Sequence, residues 1–157
     1  MRHLLEFEIF ESYLPPILDD DIIAATLVGE AGGEGKEGMI AVYNVLGNRA
    51  AKKSTSRAGE ALRPKQFSMW NSATSDVSKK SDFDKNKVNK VIDIYKDGSE
   101  WEEPWKVAMQ IIKEDPKDTT GGASHYYAHK KTSFPGWSGW SKTKVIGNHT
   151  FGKVPKY

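Results

Sequence analysis

The sequence contains no cysteine. That excludes a disulfide framework, a thiolate nucleophile and any cysteine-ligated metal site. It suits a reducing compartment and equally a protein that must cross between redox environments. Long apolar runs are also missing. No stretch approaches the roughly 18 consecutive apolar residues that a membrane-spanning helix requires. The opening MRHLLEFEIFESYLPP is interrupted by Glu6, Glu8 and Glu11 and has no small-residue cleavage site, so it does not read as a secretion signal. Strong net charge is lacking as well: the formal total is only +2. That argues against nucleic acid as the partner. No internal repeat occurs, and no linker is long enough to divide the 157 residues into two domains. A single domain of this length can bury a core without staples.

The balanced total hides a gradient. Residues 117–157 carry seven lysines against Asp118 alone, a net of +6. Residues 1–37 carry nine acidic groups against Arg2 and Lys36, a net of −7. Lysines of this kind are either a solvated surface or a face for an anionic partner such as nucleic acid, a membrane or a cell wall.

Helical patterning fills the first three quarters of the chain. Asp19, Asp20 and Asp21 satisfy the N–H groups and oppose the dipole of a helix whose apolar face is Ile22, Ile23, Leu27 and Val28. Gly32 and Gly33 end it as residues able to turn left-handed. A second helix runs from about Lys36 to Ala51 on Met39, Val42, Tyr43 and Leu46, widened by Ile40 and Val45 into a central element. KKSTSRAGE reads as a polar linker, LRPKQFSMW is broken by Pro64, and SATSDVSKKSDFD reads as an exposed loop. A third helix covers about Lys87 to Lys96. DGSEWEEPW turns into a fourth, with Pro104 in its first turn and Asp115-Pro116 at its end. After residue 117 the texture becomes Gly, Ser, aromatic and Lys, giving loops and a short hairpin at KVIGNHTFG. The expected class is α+β, mostly helical, with residues 1–18 as an N-terminal extension and 19–157 as the core.

Glu30 is the first chemical candidate. It sits at the C-terminal end of an apolar helix, where the dipole, Glu34, Glu37 and burial would all disfavour its anion. A carboxylic acid that stays protonated near neutral pH is what glycoside cleavage needs for its leaving oxygen. The alternative is a solvated glutamate in a polar turn. Glu34 is either a second carboxylate, a water-positioning group or a cap on the following helix. His125 and His129 have H-x3-H spacing and, with His149, offer three imidazoles for a zinc-dependent amidase or peptidase. Their segment does not read as a helix, however, and no HExxH occurs. Tyr126, Tyr127, Phe134, Trp137, Trp140 and Phe151 either fill the core or lie flat against sugar rings. GEAGGEG lacks the lysine and the preceding strand of a phosphate-binding loop.

Taken in order, LVGEAGGEGKEGMIAVYNVLGNR, PKQFSMW, DTTGGASHYYAH, PGW and VIGNHTFG resemble the SleB-like cell wall hydrolases, which include spore cortex-lytic enzymes and some phage endolysins. The likeness spans about residues 22–152. It implies a fold similar to lysozyme and the lytic transglycosylases, peptidoglycan as substrate, and cleavage of the N-acetylmuramic acid β-1,4 N-acetylglucosamine bond. One glutamate then suffices as acid and base, and the product carries a 1,6-anhydromuramyl end. The family's first Glu matches Glu30 and its second matches Glu34. The resemblance gives assisting roles to Glu34, Ser68 and Tyr126. It gives substrate contacts to Gln66, Phe67, Tyr127, His129, Trp137 and His149, and Asn48-Arg49, Gly121-Gly122 and Gly147-Asn148 match further motif positions. Gly33 and Gly47 depart from the family pattern.

No cofactor and no metal is expected; the partner is the peptidoglycan glycan strand, with no nucleic acid and no stable membrane insertion, and the protein is expected to be a monomer. The absence of a signal and of a wall-binding domain points to a phage endolysin held in the host cytoplasm until release, or carried on the virion. The alternatives are a two-carboxylate muramidase, with Glu34 or Asp76 as the second acid, the zinc enzyme, and a non-catalytic wall-binding protein.

Overall fold

The computed structural model describes residues 17–64, 66–74 and 84–157. The expected extension before residue 17 and most of the loop containing Asp76 lie outside the described residues.

Helix α1 (Asp19–Ala31) is the axis of the domain. Every residue from Ile22 to Val28 is buried, so the expected single apolar face is corrected to burial on all sides. The reason is its neighbours: α1 packs against α2 (Gly35–Lys53), α3 (Arg57–Ala61), α5 (Lys85–Lys96) and α6 (Glu102–Glu114). Each fully buried Ile, Leu or Val contributes roughly 1.5–3 kcal/mol, which holds the helix rigidly. Its three aspartates make no side-chain cap and act through the dipole; Asp21 also pairs with Lys96 of α5 at 3.1 Å.

The exit from α1 differs from expectation. Gly32 keeps a right-handed conformation (φ −59°) and begins a 3₁₀ turn, Gly32–Glu34. Gly35 (φ 80°) is the residue that takes a backbone conformation favouring glycine. The reversal therefore falls after the Gly-Gly pair, and Glu30 keeps a helical backbone. Glu34 precedes α2 but makes no capping hydrogen bond, which removes the cap reading.

Helix α2 separates two cores. Met39, Val42, Tyr43 and Leu46 face the other helices, whereas Ala41 and Val45, four residues apart on another face, pack with Ala123 and Phe151 beneath the sheet. The stretch read as a polar linker contains α3, capped by Ser56 Oγ accepting from Gly59 N–H at 3.1 Å. Its Glu60 is fully buried. A 3₁₀ turn (Ser68–Trp70) and the short α4 (Asn71–Thr74) follow.

The C-terminal part forms an antiparallel sheet of order β1-β3-β2: β1 (His125–Ala128), β2 (Ser141–Ile146) and β3 (His149–Lys153). The expected hairpin is β2–β3, turning at Gly147 (φ 55°). Strand β1 was not anticipated. It pairs with β3 in a register that sets Tyr126 opposite Phe151 and Ala128 opposite His149. The loop feeding it is tied by Asp118, whose carboxylate accepts from Thr120 N–H, Gly122 N–H and Asn48. Asn48 also donates to Ala123 O at 2.9 Å. Asn48, Gly121 and Gly122 thus serve the loop that delivers β1 to the end of α1.

Candidate active site

Glu30 lies one residue before the end of α1, facing the edge of the sheet. Tyr126 Oη of β1 donates to its Oε2 at 2.8 Å. Burial raises the Glu30 pKa above its ordinary value; the Tyr126 hydrogen bond and the nearby His149 and Arg49 oppose that rise without cancelling it. Burial and the adjacent Glu30 together push the Tyr126 phenol well above its usual range, so it remains a donor. The expected direction for Glu30 is borne out, and desolvation is the dominant cause.

Two clefts meet at this carboxyl. The larger, about 520 Å³, is lined by Glu30, Arg49, Gln66, Phe67, Ser68, His125, Tyr126, Trp137 and Tyr157. The second, about 320 Å³, is lined by Glu30, Glu34, Trp101, Lys130, Lys131, Asn148 and His149 among others. Glu30 is common to both.

Arg49 organises the first cleft. It is 4% exposed, donating from Nε to Ser124 O at 2.6 Å and from a terminal nitrogen to Gln66 Oε1 at 3.0 Å. Its guanidinium lies 5.1 Å from the Phe67 ring centre and 4.7 Å from that of Tyr157. The fork needs fixed acceptors and flat faces, and an ammonium would match neither. Tyr157 is held in turn: its hydroxyl donates to Glu60, which also accepts from Arg63 at 2.7 Å and Thr55 at 2.8 Å. Burial alone would raise the Glu60 pKa, but these donors outweigh it and keep the carboxylate below its usual range.

The sequence-derived candidates separate into groups. Gln66, Phe67, Ser68, Tyr126 and Trp137 join Glu30 in the first cleft. Glu34 and His149 line the second, with Glu34 Oε2 2.8 Å from His149 Nδ1. Tyr127 instead packs into an aromatic group with Phe134, Trp137 and Trp140, its ring centre 5.7–6.4 Å from theirs. His129 is paired through Nδ1 with Thr150 Oγ1 at 3.0 Å, and His125 with Ser124 Oγ at 2.9 Å. The three imidazoles proposed for zinc are therefore engaged separately; among the described residues no group of three His, Cys, Asp or Glu is placed to hold a metal ion. Burial and the cations Arg49 and Lys52 push His125 down to about 4, so it is neutral at pH 7.

Tyr157, Trp101, Lys130 and Lys131 were not singled out as site residues, whereas Arg49 was expected in the groove as a motif position and does line the first cleft. A signal existed for Arg49: it lies three residues after Leu46 and seven after Val42, on the buried stripe of α2.

A sequence profile of the cell wall hydrolase family matches residues 33–152; Glu30 lies just before the matched segment. No curated protein matches the chain in sequence. Among solved structures, the chain is similar to the catalytic domain of the germination-specific lytic transglycosylase SleB from Bacillus anthracis. The TM-score is 0.58 at 21% identity, over 89% of this chain and 100% of that one. The catalytic domain of the Bacillus cereus SleB protein matches with a TM-score of 0.53 at 21% identity, over 89% and 95% of the two chains. At this identity the likeness establishes the fold, and it bears out the α+β, mostly helical class.

Proposed function

This chain belongs to the cell wall hydrolase family, and from that premise we propose that it is a lytic transglycosylase of peptidoglycan with Glu30 as its catalytic acid and base. The observation that carries the reading is the placement of Glu30: a carboxyl with a raised pKa at the junction of two clefts, held by a phenol that remains protonated.

The chemistry follows from that geometry. Tyr126 occupies Oε2, which leaves Oε1 to carry the proton. Glu30 gives that proton to the glycosidic oxygen as the bond to the muramyl anomeric carbon breaks, and charge develops on the sugar as an oxocarbenium-like ion. The new carboxylate is accommodated because Tyr126, His149 and Arg49 all favour the anion. It then takes the proton of the muramyl 6-hydroxyl while that oxygen bonds to the same anomeric carbon. The product is a 1,6-anhydromuramyl end, Glu30 is protonated again, and no water is consumed.

A hydrolysing muramidase is the second reading. It rests on Glu34, a carboxylate lining the same second cleft as Glu30. An inverting or retaining hydrolase requires such a partner roughly 5–9.5 Å away. Against it, Glu34 is already paired with His149.

Digestion of purified peptidoglycan by the wild type and by Glu30→Gln, with mass spectrometry of the new ends, separates these readings. The transglycosylase gives anhydromuramyl ends, and Glu30→Gln lowers the rate about 10²–10⁴-fold. Reducing muramyl ends would transfer the assignment to a two-carboxylate muramidase. Equal rates in both proteins would remove Glu30 from the chemistry and point to another catalytic group, the histidines first; no new ends from either protein would favour a wall-binding role.

A further inference from the structure

The second cleft holds charges that cleavage of a neutral glycan bond does not use. Lys130 and Lys131 line it, in the turn that follows β1. That turn is fixed: Lys131 N–H, Thr132 N–H and Thr132 Oγ1 all donate to Ala128 O, at 3.0, 3.0 and 3.3 Å. Among the described residues neither lysine side chain has a hydrogen bond or an ion pair. Other lysines do: Lys36 pairs with Glu114, Lys96 with Asp21, and Lys106 with Glu102 and Glu103. The acids lining the cleft are engaged, Glu30 by Tyr126 and Glu34 by His149. What remains is two uncommitted ammonium groups. The same cleft is lined by Trp101, whose ring is fixed edge-on to Tyr95 at 5.6 Å.

A cleft lined by an aromatic ring, free cations and the proposed acid suits a ligand that joins a sugar to a carboxylate. We propose that Lys130 and Lys131 form a subsite for the carboxylates of the peptide borne by the muramyl sugar, so that the enzyme prefers peptide-substituted glycan. This rests on the glycan-cleaving role of Glu30. The lysines act on binding and leave the bond-breaking step to Glu30, so their effect falls on KM and not on kcat.

The test uses cosedimentation of Glu30→Gln protein with insoluble sacculi, in which binding is read without turnover. Sacculi are used native, with carboxyls converted to methylamides, or stripped of phosphate polymers by hydrofluoric acid. Two exposed ion pairs predict about tenfold weaker binding to methylamidated sacculi at low salt, and a smaller difference at high salt. Adding Lys130→Gln and Lys131→Gln abolishes the preference for native sacculi. Adding Lys142→Gln and Lys144→Gln instead, the same charge change on β2, preserves it. Equal binding to native and methylamidated sacculi overturns the subsite, as does a preference that survives loss of Lys130 and Lys131. Binding lost only on phosphate removal overturns it in favour of a wall polymer. The glycan-cleaving role is read separately from the ends made by the wild type. New muramyl ends without a binding preference sink the subsite alone; a binding preference without new ends sinks the Glu30 role.

Discussion

At the scale of the residue, the pKa of Glu30 is a balance that can be moved from one side. Burial raises it, and the Tyr126 hydroxyl is the largest opposing influence. Tyr126→Phe keeps the ring against Phe151 and His149 but removes the donor to Oε2. The anion loses its best partner, so the Glu30 pKa rises further. Because the proposed first step needs Glu30 protonated, the alkaline limb of the kcat/KM profile is expected to move to higher pH in Tyr126→Phe, with a lower maximum. An unmoved or downward-shifted limb would show that another group sets it. Glu30 was legible in the sequence because its signals are local: a helix end, glycines and neighbouring acids. Arg49 was legible only as a motif position. What makes it a site residue is Ser124, Gln66 and Tyr157, supplied from 17 residues away or more. Tyr157 gave no signal, since its importance lies in a buried glutamate of α3.

At the scale of the element, the proposed role of Glu30 requires α1 to be held still, because Glu30 lies at its end. One internal tie is polar: Trp70 Nε1 donates to Thr26 Oγ1 at 3.0 Å, both groups fully buried. Thr26→Val preserves shape but strands the indole N–H away from water. The expected loss is about 1–3 kcal/mol in urea unfolding. A loss under about 0.5 kcal/mol would mean that the indole finds another acceptor. The long helices were readable from periodicity alone, and their observed bounds differ from the sequence reading by only one or two residues. The short elements were not. Helix α3 has five residues, a central glycine and a charged residue inside the protein, the opposite of an apolar stripe. In β1 the residues after His125 are all half-buried, because the strand lies between the sheet and the cleft, so no alternation marks it.

At the scale of the whole molecule, three titrating groups, His125, Glu60 and Glu30, pull stability in different directions with pH. His125 falls from 6.5 to about 4 on folding, so the unfolded chain binds its proton first. Stability therefore drops as pH falls from about 6.5 to 4. Glu60 is depressed, so its contribution is present above its unfolded value and disappears as pH falls through the folded one. Glu30 has the opposite sign. Its folded pKa is raised, so the native protein holds the proton longer, and stability is lost as pH rises through the raised value. Above that pH the fold carries an ionised carboxyl that burial disfavours. Glu30→Gln keeps an oxygen for the Tyr126 hydroxyl and removes the charge. It is therefore expected to be inactive yet more stable than the wild type at pH 8. That advantage shrinks as pH falls and vanishes below the unfolded value of about 4.5. Paired urea titrations at pH 8, 6 and 4 read the difference directly. A constant gap across the three would assign the stabilisation to packing, whereas a gap that closes on acidification ties lost activity and gained stability to the same proton on Glu30.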